Sequence, residues 1–573
     1  MKVDGKSLRQ RLVDQAARQR LERQGVPDVL ARLFAARGVQ DVSQLDRHLA
    51  GLLHWDRLLG IRDAACRLAD AVMHGQRVTV IADYDADGAT ACAVAIRGFE
   101  LLGLSARFLV PNRFVHGYGL TPTIVRLAAE SEPDLLVTVD NGIASLEGVA
   151  EAASLGIEVL VTDHHLPGGQ MPSCIVVNPN QPGCTFPSRH LAGVGVMFYV
   201  LLATRAELKS RGWFAADPPG LAPLLDLVAL GTVADVVRLD DNNRILVEQG
   251  LQRIRAGRAC PGVQALFEIA GRPAAYASAS DLGFAIGPRL NAAGRLDDMT
   301  LGIQCLLTKD LAQARMLSHQ LQTLNEERRG IEDQMRSEAM ARLPEIGDLP
   351  GWSLVMSDPA WHAGVTGILA SRLKDRFHRP VICFAPAGHH ELRGSGRSVR
   401  ALHLRDALDL VANRHPGLLR RFGGHAAAAG VTIADDRLVE FSEAFEQAVQ
   451  DMVSEDELQP QLYHDGELAG EALTPDLARA LADQVWGQGF APPVFVGWFD
   501  VVSQRLLKER HLKLLLELGG FRFDAILFNQ SEELPKRIFA LYQLDWHRYN
   551  GRSSMQLRVE GWCDTVPADV VVS

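Results

Sequence analysis

The chain has 573 residues, enough for about three to five domains at roughly 100 to 200 residues per domain. Its 59 basic and 69 acidic residues give a net charge of -10, which excludes a globally basic surface for binding an anionic partner. No apolar run reaches the roughly 18 residues of a membrane span, and the N-terminus has no apolar core segment, so we expect a cytoplasmic protein without membrane contact. The eight cysteines are scattered without a CxxC pair, which excludes a zinc-finger or disulfide framework.

The first part of the chain predicts a helical segment followed by an α/β domain. Residues 1–50 are rich in leucine, alanine and arginine, a composition typical of helices. Over residues 51–310, short apolar runs such as RVTVIAD, LLVTVD and EVLVTDHH alternate with helical stretches. This alternation predicts βαβ units and a parallel sheet covered by helices.

The second part predicts a connector, another α/β domain and a β domain. Residues 311–347 are rich in strong helix formers and predict one or two long helices. A second α/β pattern runs over residues 348–455. From 456 to 573 the periodicity is that of strands, with a hairpin signal at Asn550-Gly551, which predicts a small antiparallel barrel or sandwich.

Acidic and imidazole side chains follow three predicted strands of the first α/β domain. They are Asp83, Asp85 and Asp87 after the first strand, Asp140 after the second, and Asp163, His164 and His165 after the third. Because the carboxyl ends of parallel strands share one edge of a sheet, we expect these side chains to converge. Crowded carboxylates repel unless cations neutralise them, and mixed oxygen and nitrogen ligands suit Mn²⁺ or Mg²⁺. The sequence therefore predicts a site for two divalent ions.

A fourth segment, DLVALGTVADVV, ends its apolar run at Asp235, and Asp226 is the weaker candidate ligand there. Other interpretations compete with a metal site. DYDADG matches the start of a calcium-binding EF-hand loop, but Val94 stands where that loop ends in Glu, and the motif follows a strand. A single strand-end aspartate is about as often a helix N-cap, and His165 could orient His164 instead of binding a metal.

The motifs DYDADGATA, VTVDNG, VTDHH and GTVADVV resemble the four motifs of the DHH phosphoesterase superfamily. The surrounding segments resemble the RecJ family within it over roughly residues 50–530, including PNRFVHGYGL, VNPNQPG, GPRLNAAGRL, WHAGVTGILASRL, GSGRS and FGGHAAAAG. One departure is Ile81, which stands where many smaller DHH phosphatases have a metal-binding histidine. Asp83 is the candidate replacement.

The resemblance implies an α/β multidomain fold: a parallel-sheet DHH domain and a DHHA1-type domain joined by long helices, plus a C-terminal OB-like barrel. It implies two-metal hydrolysis of single-stranded DNA from the 5′ end, in recombination and DNA repair. It also implies a monomer that works with the single-stranded DNA-binding protein and a RecQ-type helicase. The implied metal ligands, with Asp140 as the bridge, are Asp83, Asp85, Asp87, Asp140, His164 and Asp235. The implied catalytic residues are His165, Asp87 and Asp140.

A basic segment offers candidate substrate contacts. Between residues 389 and 425, seven arginines stand against three acidic residues, a local net charge of +4. In GSGRS the glycines around Ser395 and Arg397 predict close backbone approach to a phosphate, which the resemblance implies is the 5′-terminal one. Tight turns and a solvated arginine face are the competing interpretations. Further expected substrate contacts are Arg113, His116, Arg289, Arg295 and His425; Arg289 and Arg295 could instead pair with the strand-end acids.

Two other functions are open. One is a DHH phosphatase for short oligonucleotides or cyclic dinucleotides, and the other is a non-catalytic DNA-binding scaffold. Chain length and the extra β domain favour the exonuclease over the first, and the intact acidic motifs favour it over the second. In the β domain, the cluster of Tyr542, Trp546, His547, Arg548 and Tyr549 is a candidate for base stacking, although aromatic residues at strand spacing are more often core. Deleting residues 456–573 should then weaken binding to long single strands much more than it alters the metal site.

Overall fold

The chain folds into two compact units, each built from separate segments. The computed structural model describes residues 2–3, 6–112, 116–343, 351–388, 390–549 and 552–564. The larger unit comprises Val13–Glu326 and Val485–Pro492, and the smaller unit comprises Met1–Leu12, Glu327–Gln484 and Pro493–Ser573. Within the described residues, no helix is both long and apolar enough to cross a membrane.

The N-terminal segment contains strands as well as helices. Its elements in chain order are β1 (Lys2–Val3), β2 (Lys6–Gln10), α1 (Gln15–Arg23), α2 (Asp28–Ala35) and α3 (Ile61–Met73). Asp14 caps α1 by accepting the backbone N–H groups of Ala16 and Ala17, and aspartate is one of the preferred residues at a helix N-cap. The prediction of an entirely helical segment was therefore wrong for residues 6–10.

The larger unit contains the predicted parallel sheet. Its elements are β3 (Val78–Ala82), α4 (Ala86–Leu102), β4 (Ala106–Leu109), α5 (Pro122–Ala129), β5 (Leu135–Val139), α6 (Leu146–Ser154), β6 (Glu158–Thr162) and β7 (Ile175–Val177). The strand order is β4-β3-β5-β6-β7, and every neighbouring pair is parallel. β3 and β5 are buried throughout, as expected of strands covered on both faces.

Helices complete the larger unit and lead out of it. They are α7 (Gly193–Ser210), α8 (Leu225–Ala234), α9 (Asp241–Arg255), α10 (Pro261–Ile269), α11 (Ala279–Asp281), α12 (Gly287–Leu296), α13 (Thr300–Leu307) and α14 (Leu311–Ala341). A π-helical turn, Leu282–Ile286, joins α11 to α12. The connector is thus one long helix, α14.

The larger unit also includes eight residues from far downstream, Val485–Pro492. The rings of Trp486 and Phe490 stack on each other with centroids 5.1 Å apart, and both stack on Phe34 at 6.2 and 6.3 Å. The buried guanidinium of Arg244 lies 3.9 Å from the centroid of Phe490. This segment therefore completes a part of the core that begins near residue 34.

The smaller unit begins with a mixed α/β domain. Its elements are β8 (Leu354–Ser357), α15 (Thr366–Phe377), β9 (Val381–Pro386), β10 (Glu391–Arg397), α16 (Leu404–Arg414), β11 (Leu419–Gly424), β12 (Ala428–Ala434) and α17 (Leu438–Met452). The strand order is β11-β12-β10-β9-β8, with only β8 and β9 parallel. The predicted second α/β domain is confirmed.

A closed barrel ends the smaller unit. After β13 (Gln461–His464) and α18 (Pro475–Ala482) come β14 (Phe495–Leu507), β15 (His511–Leu518), β16 (Phe521–Leu527), β17 (Arg537–Tyr549) and β18 (Arg552–Cys563). The barrel order is β14-β15-β16-β18-β17, β17 closes it against β14, and only the pair β16–β18 is parallel. The predicted OB-like barrel is confirmed, while Asn550 and Gly551 lie outside the described residues.

Two details of this region correct the sequence interpretation. β2 pairs with β1 and, in parallel, with β13, a partner about 450 positions away. Tyr542 is fully buried and packs against Phe495 and Phe499, with ring centroids 5.9 and 5.2 Å away. It belongs to the barrel core, so the stacking interpretation is wrong for this residue.

Candidate metal centre

The first acidic loop joins β3 to α4. Asp83 directly follows β3 and is buried, and Asp85 is the N-cap of α4. Asp85 Oδ1 accepts the backbone N–H groups of Asp87 and Gly88 at 2.9 and 3.0 Å. A Cβ on Gly88 would lie 2.5 Å from the Asp83 carbonyl oxygen, so only glycine permits this tight turn. The N-cap interpretation is therefore correct for Asp85, and one capping oxygen leaves the other for a second role.

Asp87 is held by the first turn of α7. Its Oδ2 accepts the Gly193 N–H at 2.6 Å and its Oδ1 accepts the Val194 N–H at 3.0 Å. Donors at a helix N-terminus favour a carboxylate. A Cβ on Gly193 would lie 2.5 Å from the Cβ of Asp140, so the helix approaches both aspartates closely because this residue is glycine.

Asp140 directly follows β5 in a left-handed backbone conformation, with φ of 62°. Few residues other than glycine adopt this region, and Asp and Asn are among the exceptions. The side chain is 2% exposed. The strand thus ends in a turn that points a carboxylate into the protein.

Asp163 organises the residues that follow β6. Its Oδ1 accepts the backbone N–H groups of His164 and His165 at 2.7 and 3.1 Å and also lies 2.8 Å from His165 Nδ1. Its Oδ2 accepts the Ile143 N–H at 2.9 Å. Asp163 therefore holds the backbone of both histidines and the side chain of His165 in place.

The fourth segment forms the helix α8. Asp235 is the C-cap of α8, and its Oδ2 lies 3.4 Å from His164 Nε2. Asp226 lies in the first turn of the same helix, fully buried, and accepts the Cys260 N–H at 2.7 Å. The structure thus places Asp235, and not Asp226, beside the other candidate ligands.

The side chains converge at the carboxyl edge of the parallel sheet. His164 Nε2 lies 3.1 Å from Asp140 Oδ1 and 3.9 Å from Asp87 Oδ2. Three sets of ligand atoms each fall within 4.8 Å: Asp83, Asp85 and Asp140; Asp87, His164 and Asp235; and Asp140, His164 and His165. All six expected metal ligands belong to at least one of these sets.

The crowded carboxylates raise one another's pKa values. Burial, followed by the charges of Asp235 and Asp85, raises the pKa of Asp87 to about 7. Burial and the charge of Asp85 raise the pKa of Asp235 to about 8. The pKa of Asp140 is raised well above its usual value by burial and then by its acidic neighbours. Cations between these groups would remove the repulsion.

The two histidines have opposite electrostatics. Burial, and then the neighbouring His165, lower the pKa of His164, which favours the neutral form that binds a metal. Burial opposes the charged form of His165, but the hydrogen bond and charge of Asp163 raise its pKa to about 9. His164 thus has the character of a ligand and His165 that of a cation.

The residues fit a divalent ion. Asp140 Oδ1 and His164 Nε2 are buried and make no hydrogen bond to any described residue, although they face each other. Unsatisfied buried polar atoms are costly, and a shared metal ion would satisfy both. Carboxylate oxygens with one or two imidazole nitrogens match Mn²⁺ or Mg²⁺, whereas structural Zn²⁺ sites favour thiolates.

The expected substrate residues of the larger unit differ from one another in position and contacts. α12 packs on the acidic loop, because Asn291 Oδ1 accepts the Ala86 N–H at 2.9 Å. Arg289 and Arg295 both lie on α12; Arg289 is largely buried and donates to the Ala285 carbonyl of its own helical turn. His116 Nδ1 accepts the Asn112 N–H at 3.1 Å, a contact within its own loop. Arg113 lies outside the described residues.

Ser395 and Arg397 lie on β10, in the middle of the sheet of the smaller unit. Gly394 and Gly396, on either side of Ser395, pack against Phe384 and Leu404 on the opposite face, where a Cβ would lie 2.6 and 2.7 Å from those side chains. Their backbone groups lie in the strand ladder, so the turn interpretation was wrong for this segment. Both Ser395 and Arg397 are half-buried on the other face.

His425 lies in the turn between β11 and β12, where its N–H donates to the Ala428 carbonyl at 2.8 Å. The turn interpretation is therefore correct for this glycine-rich segment.

Sequence reasoning missed a role for Tyr118. Its hydroxyl lies 3.4 Å from the Asp140 carbonyl and 3.4 Å from His165 Nε2, and its side chain is 47% exposed. The HGYG segment that contains Tyr118 carried the family resemblance but gave no indication that Tyr118 lies close to Asp140 and His165.

Comparisons with known proteins agree with this architecture. Models of the DHH family N-terminal domain, the DHHA1 domain and the RecJ OB domain match residues 77–232, 352–451 and 464–561. The chain is 49% identical to the single-stranded-DNA-specific exonuclease RecJ of Dickeya dadantii, over 93% of this chain and 96% of that protein. It is 47% identical to the protein of the same name from Escherichia coli, over 96% of this chain and 98% of that one.

Solved structures give the same result. The crystal structure of RecJ in complex with Mn²⁺ from Thermus thermophilus has a TM-score of 0.82 at 30% identity, covering 98% of this chain and 80% of that one. The structure of RecJ from that organism in complex with Mg²⁺ has a TM-score of 0.77 at 28% identity, covering 98% and 78%. With this likeness in sequence, domains and fold, the chain belongs to the RecJ family.

Proposed function

We propose that this chain is a metal-dependent exonuclease that degrades single-stranded DNA from its 5′ end by phosphodiester hydrolysis. The observation that carries the proposal is the convergence of five aspartates and His164 at one sheet edge in a member of the RecJ family. We further propose that the enzyme acts in recombination and DNA repair.

In the proposed centre, two sets of candidate ligands hold one metal ion each. Asp83, Asp85 and Asp140 would hold one ion, and Asp87, His164 and Asp235 would hold the other. Asp140 lies 3.1 Å from His164, which suits a bridging role between the two sets. When bound, two divalent ions supply an activated water and neutralise charge on the reacting phosphate.

We propose that His165 acts on the phosphate or the leaving oxygen. Asp163 Oδ1 lies 2.8 Å from His165 Nδ1, which leaves Nε2 available, and the Tyr118 hydroxyl lies 3.5 Å from Nδ1 and 3.4 Å from Nε2. Because Asp163 stabilises the charged imidazole, His165 can keep a proton on Nε2 beside an anionic substrate. Tyr118 borders the same space with an exposed ring.

The smaller unit offers a surface for the phosphate backbone. Strand pairing puts Arg393, Thr432 and Arg421 in one row across three adjacent strands, and both arginines are exposed. In the next row, Gly430 and the exposed Gly423 lie beside each other, and a Cβ on Gly423 would meet no described atom within 4 Å. Two arginines beside an open, flat floor suit a flexible anionic chain.

The local charges support this assignment. On the same sheet Glu391 is already paired with Arg420, at 2.6 Å, so it does not neutralise the arginine row. Ser395 and Arg397 follow along β10 on the same face as Arg393. We propose that Ser395 and Arg397 bind the 5′-terminal phosphate. We also propose Arg113, His116, Arg289, Arg295 and His425 as contacts to the DNA.

One cleavage assay tests the function. A single-stranded DNA labelled at either end, the matching duplex and a dinucleotide are each incubated with the full chain and Mn²⁺ or Mg²⁺. We expect rapid release of the 5′ label from the single strand and little release from the duplex. Preferred hydrolysis of the dinucleotide would instead identify an oligonucleotide phosphatase, and binding of DNA without hydrolysis would identify a scaffold.

Two further proposals come from the family resemblance. We propose that the single-stranded DNA-binding protein and a RecQ-type helicase supply the substrate, and that the chain is a monomer in the cytoplasm. Co-purification with each protein, with and without DNA, tests the partnership, and light scattering tests the monomer.

A further inference from the structure

Two asparagines after β7 bind the backbone of the histidine loop. Asn178 Nδ2 donates to the His165 carbonyl at 2.9 Å, and Asn180 Nδ2 donates to the His164 carbonyl at 2.6 Å. Asn180 N–H in turn donates to Asn178 Oδ1 at 2.7 Å. We call these two residues the asparagine pair.

The sheet topology explains why they reach this loop. β6 and β7 are parallel neighbours, Thr162 pairs with Val177, and the Asp163 N–H donates to the Val177 carbonyl at 3.1 Å. The two strands therefore end side by side. Residues after β7 lie next to residues after β6, so a strand without a metal ligand contributes side chains that contact the ligands of its neighbour.

The loop is specified by side chains on both sides. His164 and His165 follow the end of β6, and their backbone groups need other partners. Asp163 Oδ1 accepts both N–H groups, and the asparagine pair donates to both carbonyls. All four polar backbone groups of the two histidines are satisfied in this way, which fixes the orientation of their peptide planes.

We propose that Asn178 and Asn180 are positioning residues, which orient His164 toward the metal ions and His165 toward the scissile phosphate. The inference rests on the proposed function. Its physical basis is the short reach of the imidazole: His164 Nε2 meets Asp140 and Asp235 at 3.1 and 3.4 Å, and a small rotation of its peptide would lengthen both distances. Removing residues that orient metal ligands changes metal affinity or activity by about 10- to 100-fold.

If the asparagine pair had a purely structural role, replacing it would lower stability without specifically weakening metal binding. Asn243 provides a control for that role. Asn243 is fully buried in the same unit, and its Nδ2 donates to the His190 and Arg238 carbonyls at 2.6 and 2.9 Å. It supports backbone in the same way, but its partners are not among the candidate ligands. Asn243→Ala is therefore the matched control for stability without positioning.

The experiment compares Asn178→Ala, Asn180→Ala and Asn243→Ala in the full chain. Mn²⁺ affinity is measured without DNA, by the electron paramagnetic resonance signal of free Mn²⁺, and thermal stability is measured on the same samples. We expect Asn180→Ala to weaken Mn²⁺ binding by about 10-fold or more. At saturating Mn²⁺ we expect its kcat for single-stranded DNA to fall while KM stays within about twofold, because the peptide orientation, not DNA affinity, has changed.

The control should lose thermal stability while its Mn²⁺ affinity stays within about twofold of the parent. Mn²⁺ affinity unchanged in Asn180→Ala, or weakened equally in Asn243→Ala, would overturn the proposal. If Asn178→Ala does not fold, Asn180→Ala alone decides, because Asn180 is half-exposed and loses fewer contacts. Since Mn²⁺ binding is measured without DNA, an enzyme that binds Mn²⁺ but does not cleave DNA refutes the proposed function and leaves this test intact.

Discussion

Asp226 and Asp235 lie at opposite ends of α8, nine residues apart and thus separated by roughly 13 to 14 Å along the helix. Of the two, only Asp235 lies in a set of candidate metal ligands. We expect Asp235→Asn to lower the cleavage rate by about 100-fold or more, because each lost anionic ligand weakens stabilisation worth several kcal/mol. Asp226→Asn should cleave within about threefold of the parent rate. Equal losses in the two variants would contradict the assignment.

The difference in stability between the parent chain and Asp226→Asn should depend on pH. Burial raises the pKa of Asp226, although hydrogen bonds from backbone N–H groups oppose this. A carboxyl with a higher pKa in the folded chain binds more protons than in the unfolded chain, so its contribution to stability falls as pH rises above about 4. The amide keeps an acceptor for the Cys260 N–H and never ionises. We therefore expect its Tm advantage over the parent to grow as pH rises above about 4, as measured by calorimetry; a shrinking advantage would show the pKa shift to be reversed.

Asp140→Asn is the cleanest test of the bridging ligand. Asn tolerates the left-handed backbone at this position, whereas Ala would add strain at φ of 62°. We expect cleavage of single-stranded DNA to fall by about 1,000-fold or more, since both ion sites lose a shared oxygen. The circular dichroism spectrum should remain that of the parent. Near-normal cleavage would exclude Asp140 from the centre.

Mn²⁺ should stabilise the folded chain. Adding the ion at about 100 times its Kd should increase the free energy of unfolding by about 2.7 kcal/mol, since it binds the folded state. A thermal shift assay with and without a chelator measures this. In Asp140→Asn most of the shift should disappear, because a buried carboxylate between His164 and the acidic loop is lost. A shift of full size in the variant would place the bound ion elsewhere.

The arginine row, Arg393 and Arg421, should contribute to the salt dependence of DNA binding. Each phosphate contact to a single strand contributes about 0.7 to the slope of log K against log salt. Replacing Arg393 and Arg421 together by alanine should reduce that slope by about 1.4, raise KM and leave kcat unchanged. Arg414→Ala is the control, because Arg414 is an exposed arginine of the same unit already paired with Asp451. If both variants change the slope equally, the row is not a specific contact surface.

The metal centre was predictable because its residues follow strands. The spacing and apolar content of the sequence identify β3, β5 and β6 as strands. Parallel pairing of these strands brings Asp83, Asp140 and His164 to one edge of the sheet. The choice between Asp226 and Asp235 was not predictable, because both lie in one apolar run and only packing shows which end of the helix meets the cluster.

The remaining discrepancies arise from contacts between residues distant in sequence. Residues 6–10 form a strand that pairs with β1 and with β13, and no local pattern indicates the pairing with β13. The glycines of GSGRS are required by Phe384 and Leu404 beneath the sheet rather than by a turn. Tyr542 is buried by Phe495 and Phe499, and the strand pattern around it does not distinguish core from surface without the closed barrel.

The segment Val485–Pro492 determines where the chain can be divided. Trp486 and Phe490 contribute their rings to the core around Phe34, so a protein that stops before residue 485 loses aromatic surface from the unit that contains the metal centre. Deleting residues 456–573 would therefore impair folding and DNA binding together. A fragment without the barrel should retain residues through Pro492, and limited proteolysis should cleave after this point more readily than within it.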